Sequence, residues 1–296
     1  MRSKFKKSQQ AIQQFIQLWK GLSVTEPQTF LSEFISLSSS HRGNSDSCSN
    51  VIQHLKHEFT PNSQVDIHLT NLVKKSLDSK IKISAYFYGN AIASQKVFFG
   101  GMITFTLQDE LIQEVKIQLN WVEGEKNLLP EWTLPMERLW KPNDPISVIS
   151  SELDTIWRGG WLSEAEDQTR ISEAWYRYAW ALDFADTELY IDTFTEDAIA
   201  ELPPMGLLKG KRQIISTLKA FRMPWPSIQH YGEPLHIKID NNLAQMVLGR
   251  IIPTQNINNS GEKIYAAHYL IELQRDSHSN WKIHSMKYIP GWIRKN

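Results

Sequence analysis

The order of patterns along this 296-residue chain repeats once, so the chain has to build one architecture twice. Near the start, SQQAIQQFIQLWK (8–20) carries Ile12, Phe15, Ile16 and Trp19 at helical spacing. The stretch 27–37 predicts a second helix with Phe30, Phe34 and Leu37 turned inward. After the polar, turn-rich SSSHRGNSDSCSN, Ser49 is placed to cap a third helix over VIQHLKHEF. From about residue 63 the pattern changes to β-branched and aromatic runs separated by turn signals: VDIHLTNLV, KIKISAYFYG, SQKVFFGGMITFTL and LIQEVKIQLNWV. The second half restarts this order. Helices are expected over 166–185, about 187–195 and about 211–221, with the bend LPPMGLLKG before the last. Strands follow at about 228–239, 243–252, 263–274 and 280–289. Helices followed by antiparallel strands, twice over, read as α+β.

The halves divide the chain into residues 1–125, a joining stretch 126–162, and residues 163–296. The join begins with GEKNLLPEWTLPMERLWKPNDP, whose four prolines stand among tryptophans and leucines. It is too apolar to float free and is expected to pack across a domain surface. Residues 146–161 predict a short connecting helix ending at Gly159–Gly160. Eleven tryptophans and twelve phenylalanines suit a fold that encloses a cavity or buries a seam.

Zero formal net charge argues against nucleic acid or an anionic membrane as the main partner, because both need a basic footprint. A single cysteine, Cys48, excludes an intrachain disulfide and fits a reducing compartment. The basic start lacks a long apolar run, so no signal peptide is expected and the cytoplasm is the default. His54 and His57 beside Glu58 read as a solvated helix face rather than a metal site. Neither a phosphate loop nor a G-x-S-x-G elbow occurs. No metal and no organic cofactor are expected.

The helix Ile171–Asp186 holds the first chemical hint. Ile171, Ala174, Trp175, Tyr178, Leu182 and Ala185 form its apolar face, and Asp183 falls at the edge of that face. A carboxylate there needs a hydrogen bond, a partner or a polar cavity. A solvated acid on a helix shoulder satisfies the same pattern.

Four pieces in order, YAWALDFADTELYIDTFTEDA, LLKGKRQIISTL, QHYGEPLHIKIDNNLA and NWKIHSMKY, resemble a SnoaL-like domain of the nuclear transport factor 2 superfamily. The first half resembles it more loosely, through QFIQLWKG, HRGNSDSCSNVIQHL and FFGGMITFTLQDELIQEVKIQLNWV. The resemblance implies a curved, cone-shaped antiparallel sheet wrapped around helices in each half, with a pocket in its mouth. Two cones in one chain would imitate the dimers of single-domain members, as an intramolecular pseudo-dimer that could pair again as a homodimer.

In catalytic relatives the pocket holds a Tyr and an Asp from the first helix and a His from the first long strand. Tyr178, Asp183 and His230 match those positions. The resemblance thus implies a cofactor-independent dehydratase, isomerase or cyclase acting on a small apolar oxygenated molecule, polyketide- or steroid-like. A non-catalytic small-molecule-binding or scaffold protein is the alternative. Trp175, His236, Arg250 and His268 are the candidate substrate contacts. The family's usual second acid or His on the next strand is missing from VLGRIIPTQ, where Arg250 stands as an oxyanion partner or a surface residue, and His268 is a substitute from a later strand. In the first half, Phe15 aligns with the tyrosine and Lys20 with the aspartate. His68 falls near the strand histidine without a carboxylate partner, so this half is expected to be catalytically degenerate.

Overall fold

A computed structural model of the chain describes residues 2–77, 79–134, 157, 166–222 and 229–295. The chain divides into two compact units, Met1–Leu162 and Ser163–Asn296.

The first unit opens with α1 (Arg2–Trp19). In place of the helix expected at 27–37 there is a single 3-10 turn, Pro27–Thr29, followed by strand β1 (Leu31–Ser39). Phe30, Phe34 and Leu37 fit a helical stripe, but alternation wins: Ile35, Leu37 and Ser39 are buried, while Phe34 is 82% exposed. The polar patch holds a hairpin into β2 (Gly43–Asp46). Ser47, not Ser49, caps α2 (Cys48–Lys56), accepting from the Asn50 amide. Four long strands follow: β3 (Gln64–Leu77), β4 (Lys80–Ile92), β5 (Lys96–Gln108) and β6 (Leu111–Gly124).

The second unit repeats this layout. It has α3 (Asp167–Phe184), α4 (Thr187–Ile191), β7 (Phe194–Glu201), β8 (Leu207–Lys209) and α5 (Lys211–Arg222). It ends with β9 (Tyr231–Asp240), β10 (Leu243–Ile251), β11 (Tyr265–Arg275) and β12 (Trp281–Ile293). The helix expected over 187–195 therefore stops at Ile191, and β7 takes the rest. The strand orders are β2-β1-β6-β5-β4-β3 and β8-β7-β12-β11-β10-β9, the same order position for position. Each curved, cone-like sheet is mixed rather than wholly antiparallel, because its first strand lies parallel to its last, β1 on β6 and β7 on β12. That parallel pair depends on two strands, β1 and β7, that the sequence patterns place in helix or loop.

Both long helices end in the same way. Leu22 N bonds Gln17 O and Asp186 N bonds Ala181 O, each spanning a residue with positive φ, Gly21 (77°) and Ala185 (54°). Two residues before each of these stand Trp19 and Asp183. The position matching Asp183 is therefore Trp19, not Lys20, and Phe15 matches Ala179 rather than Tyr178.

The core of the first unit is aromatic. Phe15 meets Phe105 edge-on at 5.3 Å and Trp19 meets Phe87 at 5.1 Å, all four fully buried. The start of the join belongs to this core: Leu128, Leu129, Trp132 and Leu134 are buried within it. The connecting helix expected at 146–161 lies outside the described residues, Trp157 excepted.

Beneath Trp132 lies a buried polar network. His41 Nε2 is 2.6 Å from Glu58 Oε1, and His41 Nδ1 is 2.8 Å from Ser39 Oγ. Arg42 Nη1 donates to Glu58 Oε2 at 3.2 Å, and Trp132 Nε1 donates to the Glu58 carbonyl at 3.0 Å. His54, expected on a solvated face together with Glu58, is nearly buried beside it. Ser39, His41 and Glu58 imitate a hydrolytic triad, but at 3%, 1% and 1% exposure they meet no substrate and instead pin the β1–β2 hairpin to α2 and the join.

Burial pushes the Glu58 carboxyl up, but the His41 hydrogen bond and the His41 and Arg42 charges outweigh it and hold it below its ordinary value of 4.5. A carboxyl with a depressed folded pKa contributes stability above its unfolded pKa and loses it as pH falls through the folded one. The first unit is thus expected to lose stability on acidification below pH 4.5. In denaturant melts, Glu58→Gln is expected to cost about 3–5 kcal/mol at neutral pH by breaking the buried contacts to His41 and the Arg42 guanidinium, and to flatten the acid limb.

Candidate active site

Asp183 is the next-to-last residue of α3, and the helix end fixes where its carboxylate points. His230 lies one residue before β9. Both carboxylate oxygens reach this residue: Oδ1 is 2.5 Å from His230 Nδ1, and Oδ2 accepts from the His230 amide at 2.8 Å. The backbone bond is independent of ring orientation, so it anchors the carboxylate while the other oxygen selects the tautomer. With Nδ1–H donating to Asp183, the neutral ring carries its lone pair on Nε2. The Asp183 side chain is 3% exposed and that of His230 is 15%, so the acid is sealed and the imidazole opens outward.

The surrounding groups hold this pair in place. Arg222, ending α5, donates to the Asp183 carbonyl at 2.6 Å. Arg250 is no free oxyanion partner. It spends its guanidinium on the Gln229 carbonyl (2.8 Å), the Tyr231 carbonyl (2.9 Å) and the Ile251 carbonyl (2.8 Å). Two of these flank His230, so Arg250 clamps the strand entry that presents the imidazole. Tyr231 adds a bond from its hydroxyl to Gln229 Oε1 at 2.6 Å.

Behind the pair is a tyrosine cluster. Tyr178 is 6.2 Å from Tyr269 and 6.5 Å from Tyr190 between ring centres, and all three are buried. Tyr178 and Tyr269 share a side-chain hydrogen bond. Burial first, then neighbouring charges, pushes Tyr178 well above the usual phenol range, whereas Tyr269 is pushed up only to about 12. Burial, and next the Asp183 charge, raises Tyr190 too, and its hydroxyl has no hydrogen-bond partner among the described residues.

The remaining candidates separate. Trp175 is fully buried and packs where a Cβ on Gly232 would lie 2.4 Å from its Cη2. It is core rather than an open contact. His236 is exposed: the register shifts between Val247 and Leu248, beside Pro234, and breaks the parity that a regular strand would share with His230. His268 lies next to inward-facing Tyr269 on β11 and so faces the opposite side of the sheet. It does not replace the missing second acid or histidine. Tyr269, Tyr190 and Arg222 join the site without any signal in the sequence, since a tyrosine in a strand and an arginine at a helix end carry no motif. Among the described residues no group of His, Cys, Asp and Glu is arranged to hold a metal. Nor is any helix there long and apolar enough to cross a membrane.

In the first unit the corresponding place is filled by Trp19. His68 nevertheless has a carboxylate: its Nε2 is 2.6 Å from Asp66 Oδ2, and Lys20 Nζ is 2.6 Å from Asp66 Oδ1.

Among solved structures, the chain is similar to a Nostoc punctiforme protein with a cystatin-like fold, at 20% identity over 41% of this chain and 89% of that one (TM-score 0.32). It is also similar to Kfla4162 from Kribbella flavida, at 9% identity over 44% and 98% (TM-score 0.38). A third is an NTF-2 like protein from Silicibacter pomeroyi, at 11% identity over 42% and 94% (TM-score 0.32). No curated protein sequence matches the chain. The SnoaL-like domain model matches residues 163–287, so the second half carries a SnoaL-like domain, with Asp183 and His230 inside that span.

Proposed function

We propose that the second unit is a cofactor-independent lyase or isomerase of the dehydratase, isomerase or cyclase kind, acting on a small, apolar, oxygenated molecule of polyketide- or steroid-like character. The observation that carries this reading is the two-point contact of Asp183 with His230, at 2.5 Å to the ring and 2.8 Å to the amide. A buried carboxylate that fixes the tautomer and stabilises the imidazolium makes His230 Nε2 a general base.

For a dehydration the sequence of events is short. His230 Nε2 takes the proton from a carbon next to a carbonyl, and the electron pair of that C–H bond forms the new C=C bond. The hydroxyl on the neighbouring carbon leaves with its bonding pair and receives the proton back from the imidazolium, departing as water. Asp183 keeps its charge throughout. Isomerisation uses the same steps with the proton returned to a different carbon. The hydrogen-bonded Tyr178–Tyr269 pair offers a phenol proton to the substrate oxygen on which charge develops.

His230→Ala and Asp183→Asn are each expected to lower turnover by about a hundredfold or more, the usual size of a general acid–base contribution. The assay is dehydration and isomerisation of a panel of hydroxy-ketones with both variants in parallel. Full activity in both removes the acid–base assignment and leaves the binding-protein alternative. Arg250→Met is expected to lower kcat by about tenfold with KM changed less than twofold, since it loosens the presentation of His230 without touching substrate. A rise in KM alone would instead place Arg250 on the substrate.

A further inference from the structure

One hydroxyl inside the second unit is buried without a bond. Tyr190 is 1% exposed, and its hydroxyl has no hydrogen-bond partner among the described residues. An unbonded buried hydroxyl destabilises the protein that carries it, so a folded chain that keeps one calls for a reason.

The backbone beneath this hydroxyl is firmly held. Asp186 caps α4, its Oδ1 accepting from the Glu188 and Leu189 amides at 3.1 Å each. The Tyr190 amide donates to the Asp186 carbonyl at 3.2 Å, and the Tyr190 carbonyl accepts from the Thr193 amide at 3.0 Å. Thr193 Oγ1 donates to the Leu189 carbonyl at 2.8 Å. This five-residue helix is bonded at both ends, so it sets the Tyr190 ring without help from the hydroxyl. A phenylalanine would pack the same ring against Tyr178, 6.5 Å away between ring centres, and bury no unbonded oxygen. Packing accounts for the ring and leaves the oxygen unexplained.

The surroundings define what the hydroxyl can do. The other tyrosines named in the site are matched: Tyr178 and Tyr269 share a hydrogen bond, and Tyr231 donates to Gln229. Burial, and next the Asp183 charge, keeps the proton on Tyr190, and the Arg222 charge opposes this more weakly. The hydroxyl is therefore a donor, and its complement is an acceptor oxygen. Asp183 and Tyr269 both act on it electrostatically, which places it with the acid–base pair and the tyrosine cluster rather than apart from them.

We propose that Tyr190 is a further substrate-binding residue of the Asp183–His230 site, its hydroxyl donating to the carbonyl oxygen of a ketone alongside the Tyr178–Tyr269 pair. This rests on the reading of the second unit as an enzyme for oxygenated molecules. It narrows that class to compounds whose carbonyl end enters first, toward α4. Two donors match the two lone pairs of one carbonyl oxygen, and both bonds strengthen as charge develops there.

The test is calorimetric titration of the full chain and of its Tyr190→Phe variant with acetophenone and with ethylbenzene, which keeps the skeleton and lacks the oxygen. Acetophenone affinity is expected to fall about tenfold in Tyr190→Phe, with ethylbenzene affinity changed less than twofold. Without ligand, Tyr190→Phe is expected to raise the melting midpoint of the second unit by about 2 °C, because it removes an unbonded buried oxygen. A hydroxyl that served only the fold would lower that midpoint when removed. The proposal is overturned by absence of saturable acetophenone binding, by acetophenone affinity that survives Tyr190→Phe, or by an equal loss for ethylbenzene. It is also overturned if Tyr190→Phe melts lower or fails to fold. None of these readouts is turnover. Loss of the ketone result leaves the His230→Ala and Asp183→Asn test standing, and full turnover in those two variants leaves the ketone result standing.

Discussion

A curved sheet leaves a concave face that a helix has to fill, and the side chains which that helix supplies determine what each unit can do. In the first unit α1 inserts Phe15 and Trp19 against Phe105 and Phe87, and the interior closes as hydrocarbon. In the second unit α3 brings Trp175, Tyr178 and, at its last turn, Asp183. The two helices end in the same hydrogen-bonded turn, so Trp19 and Asp183 occupy matching places. An indole closes a packed core at the place where, in the second unit, a carboxylate meets His230.

The carboxylate has consequences elsewhere. A buried carboxylate is tolerated only when its oxygens are bonded, and Asp183 obtains both bonds from residue 230. The entry to β9 must then be held in register with the end of α3. Arg250 and Arg222 do this by binding backbone carbonyls on either side of the contact rather than facing a ligand. The first unit places its own sealed carboxylate, Glu58, elsewhere, where His41, Arg42 and Trp132 use it as a structural pin. The same pair of residue types, histidine and a carboxylate, therefore occurs in both units. Access to water at the imidazole distinguishes them.

Much of this is legible in the order of residues alone. The eight long strands announce themselves by alternation and turn residues, and the Asp183–His230 pairing follows from the family pattern. Where pattern and structure part, the causes are specific. Phe30, Phe34 and Leu37 satisfy a helical and a strand template together, and only pairing with β6 decides for the strand. Aligning the two first helices by their aromatic residues misplaces the match by one position, because the hydrogen bonds that close a helix are set by backbone geometry, not by side-chain type. His236 and His268 are candidates by residue type, and a bulge and strand parity remove them.

By itself the sequence determined that the chain holds two α+β halves, that the second carries the SnoaL-like pattern, and that an acid stands at the edge of an apolar helix face. Those properties are local: periodicity, turn chemistry and the order of short motifs all act within a few residues. Tertiary structure alone decided that both sheets are mixed, that Arg250 is a clamp, that Tyr178 meets Tyr269, and that Glu58 is sealed. Each of these depends on which distant backbone carbonyl or side chain comes within hydrogen-bonding reach when the sheet curves, and no pattern along the chain encodes that distance.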